Sequence, residues 1–292
     1  MKKMYLFLGC IIPTKQYAYE LSLRSTLPQL GVELEDMPEA NCCGTPLKCV
    51  SILYPVYASA RIFAVAEASG LDILAPCNGC HLTLSENFHL LQERPDLLEH
   101  VNRLLKEDGL RYTGKAQLYH PVEVLHDIIG LDKIASSVQS KLPPLKFASH
   151  PGCHLVRPSG IPRPESRRGP LKLDSALEAI GLQSVDTPEK FECCGAAVLP
   201  YSADAALKIA GMRLTKVGEA GVDGATTLCP YCFEMLDGKQ DAAKIVAGNA
   251  TPTVPVLYYT QLLGLALGIG DKELGLDLNM SPIDTVLEKA RR

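Results

Sequence analysis

Ten of the eleven cysteines repeat one spacing pattern in the two halves of the chain. Each set consists of a single cysteine, a vicinal pair and a C-x-x-C motif. The first set is Cys10, Cys42, Cys43, Cys77 and Cys80; the second is Cys153, Cys193, Cys194, Cys229 and Cys232. Thiolates are soft ligands that select zinc, cuprous copper or iron–sulfur clusters. The pattern therefore predicts two metal sites, one in each half, and favours redox clusters.

Each set contains one thiol more than the common sites use. A cubane iron–sulfur cluster and a structural zinc ion both take four ligands. Five thiols either leave one spare or bind a cluster of unusual geometry, and the residue count leaves both options open. A zinc ribbon has its second C-x-x-C within about 20 residues of the first, whereas here Cys77 and Cys229 are 152 positions apart. This spacing favours iron–sulfur clusters over zinc. A thioredoxin-like site is disfavoured because that fold has no role for a vicinal cysteine pair.

The vicinal pairs are poor candidates for disulfides. Neighbouring Cα atoms lie about 3.8 Å apart, which is below the usual range for a disulfide bridge. The apolar run after Met1 is too short for a signal peptide, so we expect a cytoplasmic chain with reduced thiols. The apolar segment 254–269 is interrupted and shorter than the roughly 20 residues of a membrane span.

The segments between the cysteines alternate between strand and helix patterns. The sequence predicts first strands at 4–9 and from 146, and second strands at 32–37 and 182–186. It also predicts helices at 15–30, 174–180, 54–69 and 203–220, and further helices that open at each C-x-x-C motif, at 81–87 and from 233. Third and fourth strands are expected at 72–75, 224–228, 117–119 and 256–258. Such alternation predicts an α/β protein with a parallel sheet in each half and its cysteines at the carboxyl ends of strands.

The duplication predicts two homologous, Rossmann-like domains of similar size, 1–143 and 144–292. The two prolines in the segment 142–145 suggest a stiff boundary between them. The net charge of −4 and the charged fraction of 21% give no electrostatic footprint for nucleic acid. Neither a dinucleotide nor a P-loop motif occurs, so flavin or nicotinamide is expected on a partner.

Several residues outside the two sets are further candidates for a role. We expect Cys49 to be a small buried hydrophobic residue outside the site. His81 and His154 follow cluster cysteines and are candidates for hydrogen bonds to sulfur. Arg157, Arg163, Arg167 and Arg168, together with Lys48, either receive an anionic substrate or lie on a solvated or docking surface, which we favour. We treat His89, His100, His120 and His126 as structural.

The pattern C-x31–39-CC-x33–38-C-x-x-C, present twice, resembles the cysteine-rich CCG domain. The whole length resembles the B subunit of heterodisulfide reductases. The segments that carry this resemblance are Phe7–Cys10, Cys42–Cys43, Leu74–Cys80, His150–His154, Cys193–Gly195, Thr227–Pro230 and Leu257–Gly268.

The resemblance implies that each five-cysteine set holds one noncubane [4Fe-4S] cluster. It further implies that the two clusters face each other across a pseudo-twofold interface. In the family, a mixed disulfide of two thiol coenzymes is cleaved between the clusters with two electrons from partner subunits. The implied partners are a ferredoxin-like iron–sulfur subunit and a flavin subunit, with a small thiol or disulfide as substrate.

The segment 44–49 departs from the proline-led turn expected in the methanogen enzyme, which puts the coenzyme substrate in doubt. Two functions therefore remain open. The first is an enzyme subunit that reduces or forms a disulfide, and the second is a subunit that only relays electrons. A substrate-sized cavity between the sets would favour the first function, and a closed protein wall the second. A scaffold with structural zinc is a third, weaker alternative.

Overall fold

The computed structural model describes residues 1–139, 141–166, 168, 171–188, 190–248 and 251–291. Eight strands are present in this part of the chain, four in each half. They are β1 Lys2–Leu6, β2 Val32–Asp36, β3 Asp72–Leu74, β4 Leu118–Tyr119, β5 Lys146–Ser149, β6 Gln183–Val185, β7 Gly224–Thr227 and β8 Val256–Tyr258.

Helices follow the strands in both halves. In the first half they are α1 Ile12–Lys15, α2 Tyr17–Thr26, α3 Leu53–Ser69, α4 Asn78–Glu93, α5 Pro95–Leu105, α6 Pro121–Glu123 with a π-helical continuation Val124–Ile129, and α7 Leu131–Ser137. In the second half they are α8 Lys172–Ala179, α9 Ala203–Glu219, α10 Pro230–Leu236, α11 Gln240–Ala247, α12 Tyr259–Ala266, α13 Asp271–Leu274 and α14 Asp284–Ala290. Short 3-10 turns lie at Pro28–Leu30, Thr45–Leu47, Lys106–Asp108, Cys153–Leu155 and Leu276–Leu278.

The two halves have the same sheet topology. The strand orders are β2-β1-β3-β4 and β6-β5-β7-β8, and all pairs are parallel. The register also agrees: Phe7 N donates to Leu74 O at 2.9 Å, and His150 N donates to Thr226 O at 2.7 Å. The predicted α/β class with two duplicated parallel-sheet units is therefore confirmed, and Phe7 and His150 occupy equivalent positions.

Each half contributes its first long helix to the other half. Helix α2 packs against α12, while α8 packs against α6 and its π-helical continuation. The Tyr19 hydroxyl donates to Leu228 O at 2.8 Å, and its ring stacks on that of Tyr258 with centroids 4.1 Å apart. Buried residues of both halves share one hydrophobic cluster, and a second cluster is formed by buried residues of the first half. Because this exchange is reciprocal, it has the pseudo-twofold character that the resemblance implied.

Some element bounds differ from the sequence-based expectation. The predicted helix 15–30 is interrupted at Gln16 and ends before Pro28, because proline lacks the N–H that would continue the helix. The side chain of Gln16 instead donates to Glu234 at 2.9 Å and accepts from the Tyr258 hydroxyl at 2.8 Å. The helix predicted at 81–87 is longer and spans Asn78–Glu93.

The C-terminal helix α14 packs back onto the second half. Val286 is buried, and Lys289 Nζ lies 2.6 Å from a carboxylate oxygen of Asp223. Among the described residues, none of the helices combines the length and the apolar character needed to cross a bilayer.

Candidate metal-cluster site

The C-x-x-C cysteines lie at the junction between the third strand of each half and the helix after it. Cys77 and Cys229 are the N-cap residues of α4 and α10, with extended backbone conformations. The first N–H groups of each helix are free to hydrogen-bond the sulfur of the N-cap residue, since they lack partners within the helix. Cys229 accepts such a bond from Cys232 N of its own helix and another from Asn78 N of α4 in the other half. These N–H groups stabilise anionic sulfur at Cys229, whereas the pKa of Cys77 is raised because its thiol hydrogen-bonds the Cys229 sulfur.

The vicinal pairs are followed by glycines with positive φ, +87° at Gly44 and +96° at Gly195. Their backbone N–H groups point back at the first sulfur of each pair: Gly44 N lies 3.5 Å from Cys42 Sγ, and Gly195 N lies 3.3 Å from Cys193 Sγ. A Cβ atom at position 195 would lie 2.4 Å from the backbone oxygen of Ala206. Glycine is therefore required there both for its φ and for the close approach of α9.

Hydrogen bonds from neighbouring thiols favour the thiolate form of one member of each pair. Those from Cys42 and Cys80 lower the pKa of Cys43 to about 3. Those from Cys153 and Cys194 lower the pKa of Cys193 to about 2. A soft, anionic donor is thus available in both halves at neutral pH.

The single cysteines follow glycines that touch the C-x-x-C motif. Gly9 and Gly152 have φ values of +65° and +84°. A Cβ atom at Gly9 would lie 2.9 Å from Cys80 Sγ, and one at Gly152 would lie 3.2 Å from Cys232 Sγ. In both halves the backbone before the single cysteine therefore passes directly over the last sulfur of the set.

Nine of the ten predicted site cysteines take part in thiol–thiol contacts. In the second set the contacts run in the order Cys153, Cys193, Cys194, Cys232 and Cys229. In the first set they run in the order Cys42, Cys43, Cys80 and Cys77. Cys10 is exposed and acts on Cys42 through charge rather than through a hydrogen bond. The structure therefore gathers the second set completely and leaves Cys10 at the edge of the first.

The two sets meet at the interface between the halves. Cys77 donates a hydrogen bond to Cys229, so the two helix N-caps are in direct contact. Asn78 Nδ2 donates to Pro151 O at 2.8 Å, and the Tyr231 hydroxyl lies 3.9 Å from Cys10 Sγ. A residue within each C-x-x-C motif thus reaches the single-cysteine loop of the other half.

One cavity of about 480 Å³ opens between the two sets. Eight of the ten cysteines line it, together with Asn78, Tyr231 and His154, while Cys42 and Cys77 are outside its lining. The remaining cysteine, Cys49, is exposed and also lines this cavity. The expectation that Cys49 is buried was therefore wrong, because the 3-10 turn at Thr45–Leu47 carries it out over the cavity rather than into the core. Its exclusion from the ligand set stays a prediction.

The polar neighbours of the two sets differ. Thr45 Oγ1 lies 3.1 Å from Cys43 Sγ and 2.7 Å from Thr83 Oγ1, whereas the equivalent position in the second half is Ala196. In the second half a ring nitrogen of His150 lies within 4.8 Å of the sulfur atoms of Cys194 and Cys232. The equivalent residue in the first half is Phe7. Each set therefore has a polar group that the other lacks.

His150 is almost completely buried, at 5% exposure, and its Nε2 atom makes no hydrogen bond within the described structure. Burial lowers the pKa of His150 to about 4, so the imidazole is neutral at neutral pH. His154, on the cavity wall, also has its pKa lowered by burial. Sequence inspection singled out His154 but missed Thr45, Asn78, Tyr231 and His150. For Asn78 and Tyr231 the sequence did contain a signal, because both lie inside the C-x-x-C motifs.

The arginines of the loop after Cys153 have separate roles. Arg157 pairs with Glu192 at 2.7 Å, and Arg163 Nη2 donates to His154 O at 2.6 Å. Arg168 is exposed, and Arg167 lies outside the described residues. The expected solvated surface applies to Arg168, whereas Arg163 is half-buried. Lys48 pairs with Glu86 at 2.6 Å, and the lining of the cavity between the sets does not include His89, His100, His120 or His126.

The residues present fit two iron–sulfur centres. Each half offers thiols in mutual contact, one member of the vicinal pair being a thiolate, and a glycine that keeps side-chain atoms away from the last sulfur. Soft sulfur donors in this number suit iron–sulfur clusters better than the single ion of a zinc site. The agreement with iron–sulfur clusters rests on the number and type of these sulfur ligands.

The comparisons with known proteins agree with this donor set. The family model of the CCG cysteine-rich domain matches residues 4–85 and 147–237. The chain is 36% identical to the B subunit of the ferredoxin/F420H2-dependent CoB-CoM heterodisulfide reductase of Methanosarcina acetivorans, over 96% of this chain and 94% of that protein. It is also 30% identical to the 8-methylmenaquinol:fumarate reductase membrane anchor subunit of Wolinella succinogenes, over 96% and 97% respectively.

A hypothetical protein from Helicobacter pylori of known crystal structure superposes with a TM-score of 0.75 at 18% identity, over 96% of this chain and 52% of that chain. This likeness concerns the fold alone. From the repeated domain and the full-length sequence similarity, the chain belongs to the CCG cysteine-rich family that includes the B subunits of heterodisulfide reductases. Both relatives reported above are named as subunits of reductases.

Proposed function

We propose that this chain is the disulfide-handling subunit of a heterodisulfide reductase-type complex. In this proposal the domain 1–143 holds one noncubane [4Fe-4S] cluster on the first cysteine set, and the domain 144–292 holds a second on the other set. The observation that carries the proposal is the cavity of about 480 Å³ lined by cysteines of both sets. A relay protein needs no such opening between its centres.

Reduction of a disulfide consumes two electrons and two protons and releases two thiols. Bound iron–sulfur clusters would supply the electrons one at a time, and two facing centres match the two-electron stoichiometry. The protein supplies the walls of the cavity. Asn78 and Tyr231 tie each C-x-x-C helix to the other half, which fixes the separation of the two sets. Electrons are proposed to arrive from a ferredoxin-like iron–sulfur subunit and a flavin subunit.

The side chains around the cavity orient a disulfide. His154 and Tyr231 line it next to cysteines of opposite sets and offer polar contacts to the two leaving sulfurs. Cys49, Pro200 and Tyr201 form part of the opening. Because the first half contributes the exposed thiol of Cys49 and the second half the exposed ring of Tyr201, the two halves present different surfaces to an entering substrate.

A second candidate is an electron-relay subunit of another reductase complex. The similarity to a subunit of a fumarate reductase of Wolinella succinogenes favours it, as does the altered segment 44–49. The two candidates differ in whether a disulfide enters the cavity. The experiment must therefore detect whether a disulfide binds next to the cysteine sets.

The test is anaerobic iron and acid-labile sulfide analysis of this chain separated from its partner subunits, combined with EPR of the intact complex before and after addition of candidate disulfides. We expect iron for two [4Fe-4S] clusters per chain and a new EPR signal when a disulfide binds. Cys80→Ser and Cys232→Ser are each expected to remove about half of the iron, since each removes one ligand from one set. Cys49→Ser serves as the control and keeps the full iron content. Zinc in place of iron would refute the proposal, and EPR signals unchanged by every disulfide would favour relay.

A further inference from the structure

A second cavity, of about 210 Å³, lies between the two halves beside α4. Its lining includes His81 and Ser85 of α4, Gln117 and Glu123 of the first half, and Arg163 of the second. None of these residues belongs to the lining of the cavity between the cysteine sets. The second cavity is therefore a separate polar site shared by both halves.

Arg163 is the cationic group of this cavity. Its Nη2 atom is engaged with His154 O, but its Nε and Nη1 atoms are buried and have no hydrogen-bond partner in the described structure. Within that part of the chain no carboxylate oxygen lies within ion-pair distance of the guanidinium. Arg163 thus borders the cavity with a guanidinium in which two buried nitrogens lack a protein hydrogen-bond partner. Charge-assisted N–H donors of a guanidinium suit the oxygens of a carboxylate or phosphate.

His81 is a second buried polar group in the lining of this cavity, and its ring lies against Glu123. It is 4% exposed, and neither of its ring nitrogens makes a hydrogen bond among the described residues. Its Nε2 atom is 3.6 Å from Glu123 Oε2. A buried polar group without a partner is costly, so a side chain of this kind indicates a missing ligand or water.

Glu123 restricts the kind of ligand. Its Oε2 atom accepts a hydrogen bond from His120 N at 2.8 Å, which leaves the carboxylate as a further acceptor in the cavity lining. A fully deprotonated anion would be repelled by this carboxylate. An anion that still carries a proton can instead donate a hydrogen bond to it. Phosphate carries such a proton near neutral pH, whereas sulfate does not.

We propose that this cavity binds an oxyanion of the phosphate class, held by Arg163 and His81 and selected against sulfate by Glu123. The ligand would connect the two halves. It would also fix the Arg163 side chain, which holds the backbone of His154 on the wall of the first cavity. This inference stands independently of the disulfide chemistry proposed above.

The test is isothermal titration calorimetry of the intact, metal-loaded chain under anaerobic conditions at constant ionic strength. Inorganic phosphate is expected to bind saturably, and sulfate is expected to give no saturable heat. Equal binding of the two anions, or no phosphate binding, would overturn the proposal. Methyl phosphate in a parallel titration distinguishes esterified phosphate from the free anion as the fitting ligand.

Two variants and one control sharpen this test. Arg163→Gln should weaken phosphate binding roughly tenfold or more, because it removes a charge-assisted pair of donors. Arg157→Gln is the matched control: it removes an arginine of the same loop that is already paired with Glu192, and it should bind phosphate like the parent chain. Glu123→Gln should admit sulfate, and this gain of binding remains decisive if Arg163→Gln fails to fold. Equal losses in both arginine variants would contradict the assignment.

Discussion

The first and second cysteine sets are carried by equivalent backbone elements but surrounded by different side chains. In both halves a glycine passes over the last sulfur, a vicinal pair precedes a glycine of positive φ, and the C-x-x-C motif caps a helix. Around this shared backbone, Phe7 is replaced by His150 and Thr45 by Ala196. Tyr231 reaches the first set from the second half, where the equivalent position of the first half is Gly79.

This comparison separates two kinds of constraint. Backbone positions that approach sulfur tolerate little change, because an added atom would collide with the thiol. Polar side chains beside the thiols can differ without loss of the ligands. Since hydrogen bonds to sulfur and local polarity set the reduction potentials of iron–sulfur centres, the two proposed centres should have unequal potentials.

The largest expected effect comes from filling the space above the last sulfur of each set. Gly9→Ala would bring a Cβ atom to 2.9 Å from Cys80 Sγ, and Gly152→Ala would bring one to 2.5 Å from Asn78 Nδ2 and 3.2 Å from Cys232 Sγ, both at positive φ. Each variant should lose the metal centre of its own half. Each should also lower the free energy of unfolding by about 1–3 kcal/mol from backbone strain alone. Iron analysis and chemical denaturation measure both effects.

Gly70→Ala is the matched control, since Gly70 has a φ of +66° but no atom within 4 Å of an added Cβ. Gly70→Ala should show the same loss of stability from backbone strain but keep the full iron content. Full iron content in both Gly9→Ala and Gly152→Ala would show that the close approach to sulfur is unimportant.

The next effect concerns the imidazole beside the second set. His150→Phe gives the second half the residue that the first half has, and the reduction potential of the second centre should fall because a polar neighbour of its sulfur atoms is lost. Phe7→His is the reciprocal change and should raise the potential of the first centre. EPR-monitored redox titration resolves the two signals. If both reduction potentials are unchanged in His150→Phe, His150 does not contribute to the difference between the two centres.

A smaller effect is expected from the hydroxyl of Thr45. Thr45→Ala removes the contact of 3.1 Å to Cys43 Sγ and should lower the potential of the first centre. Ala196→Thr introduces a hydroxyl at the equivalent position and should narrow the difference between the halves. The same titration applies, with Thr83→Val as a control that keeps the hydroxyl of Thr45 but removes its partner at 2.7 Å. A shift in the second centre alone would contradict the assignment.

The smallest effect is expected for Tyr231→Phe, which removes the hydroxyl that lies 3.9 Å from Cys10 Sγ. The change is made in the second half, but the potential of the first centre should fall slightly. Tyr201→Phe is the control, since Tyr201 is exposed at the cavity opening. A shift confined to the second centre would mean that Tyr231 does not act across the interface.

The sequence by itself determined the duplicated α/β architecture and the identity of the ten candidate ligands. Both follow from local information. The alternation of strand and helix patterns and the glycines after them depend on near neighbours, and cysteine spacing marks strand ends directly. The interruption at Gln16 was missed because it depends on contacts with Glu234 and Tyr258 in the other half.

Tertiary structure alone decided which groups surround the sulfur atoms. The contact of Cys77 with Cys229, the approach of Tyr231 to Cys10 and the position of His150 beside Cys194 all join residues far apart in the chain. The exposure of Cys49 depends in the same way on the turn that carries it to the cavity. Spacing along a sequence specifies which thiols are available, but the packing of one half against the other specifies their distances, polarity and access. The physical reason is that these properties depend on through-space contacts, which local periodicity does not encode.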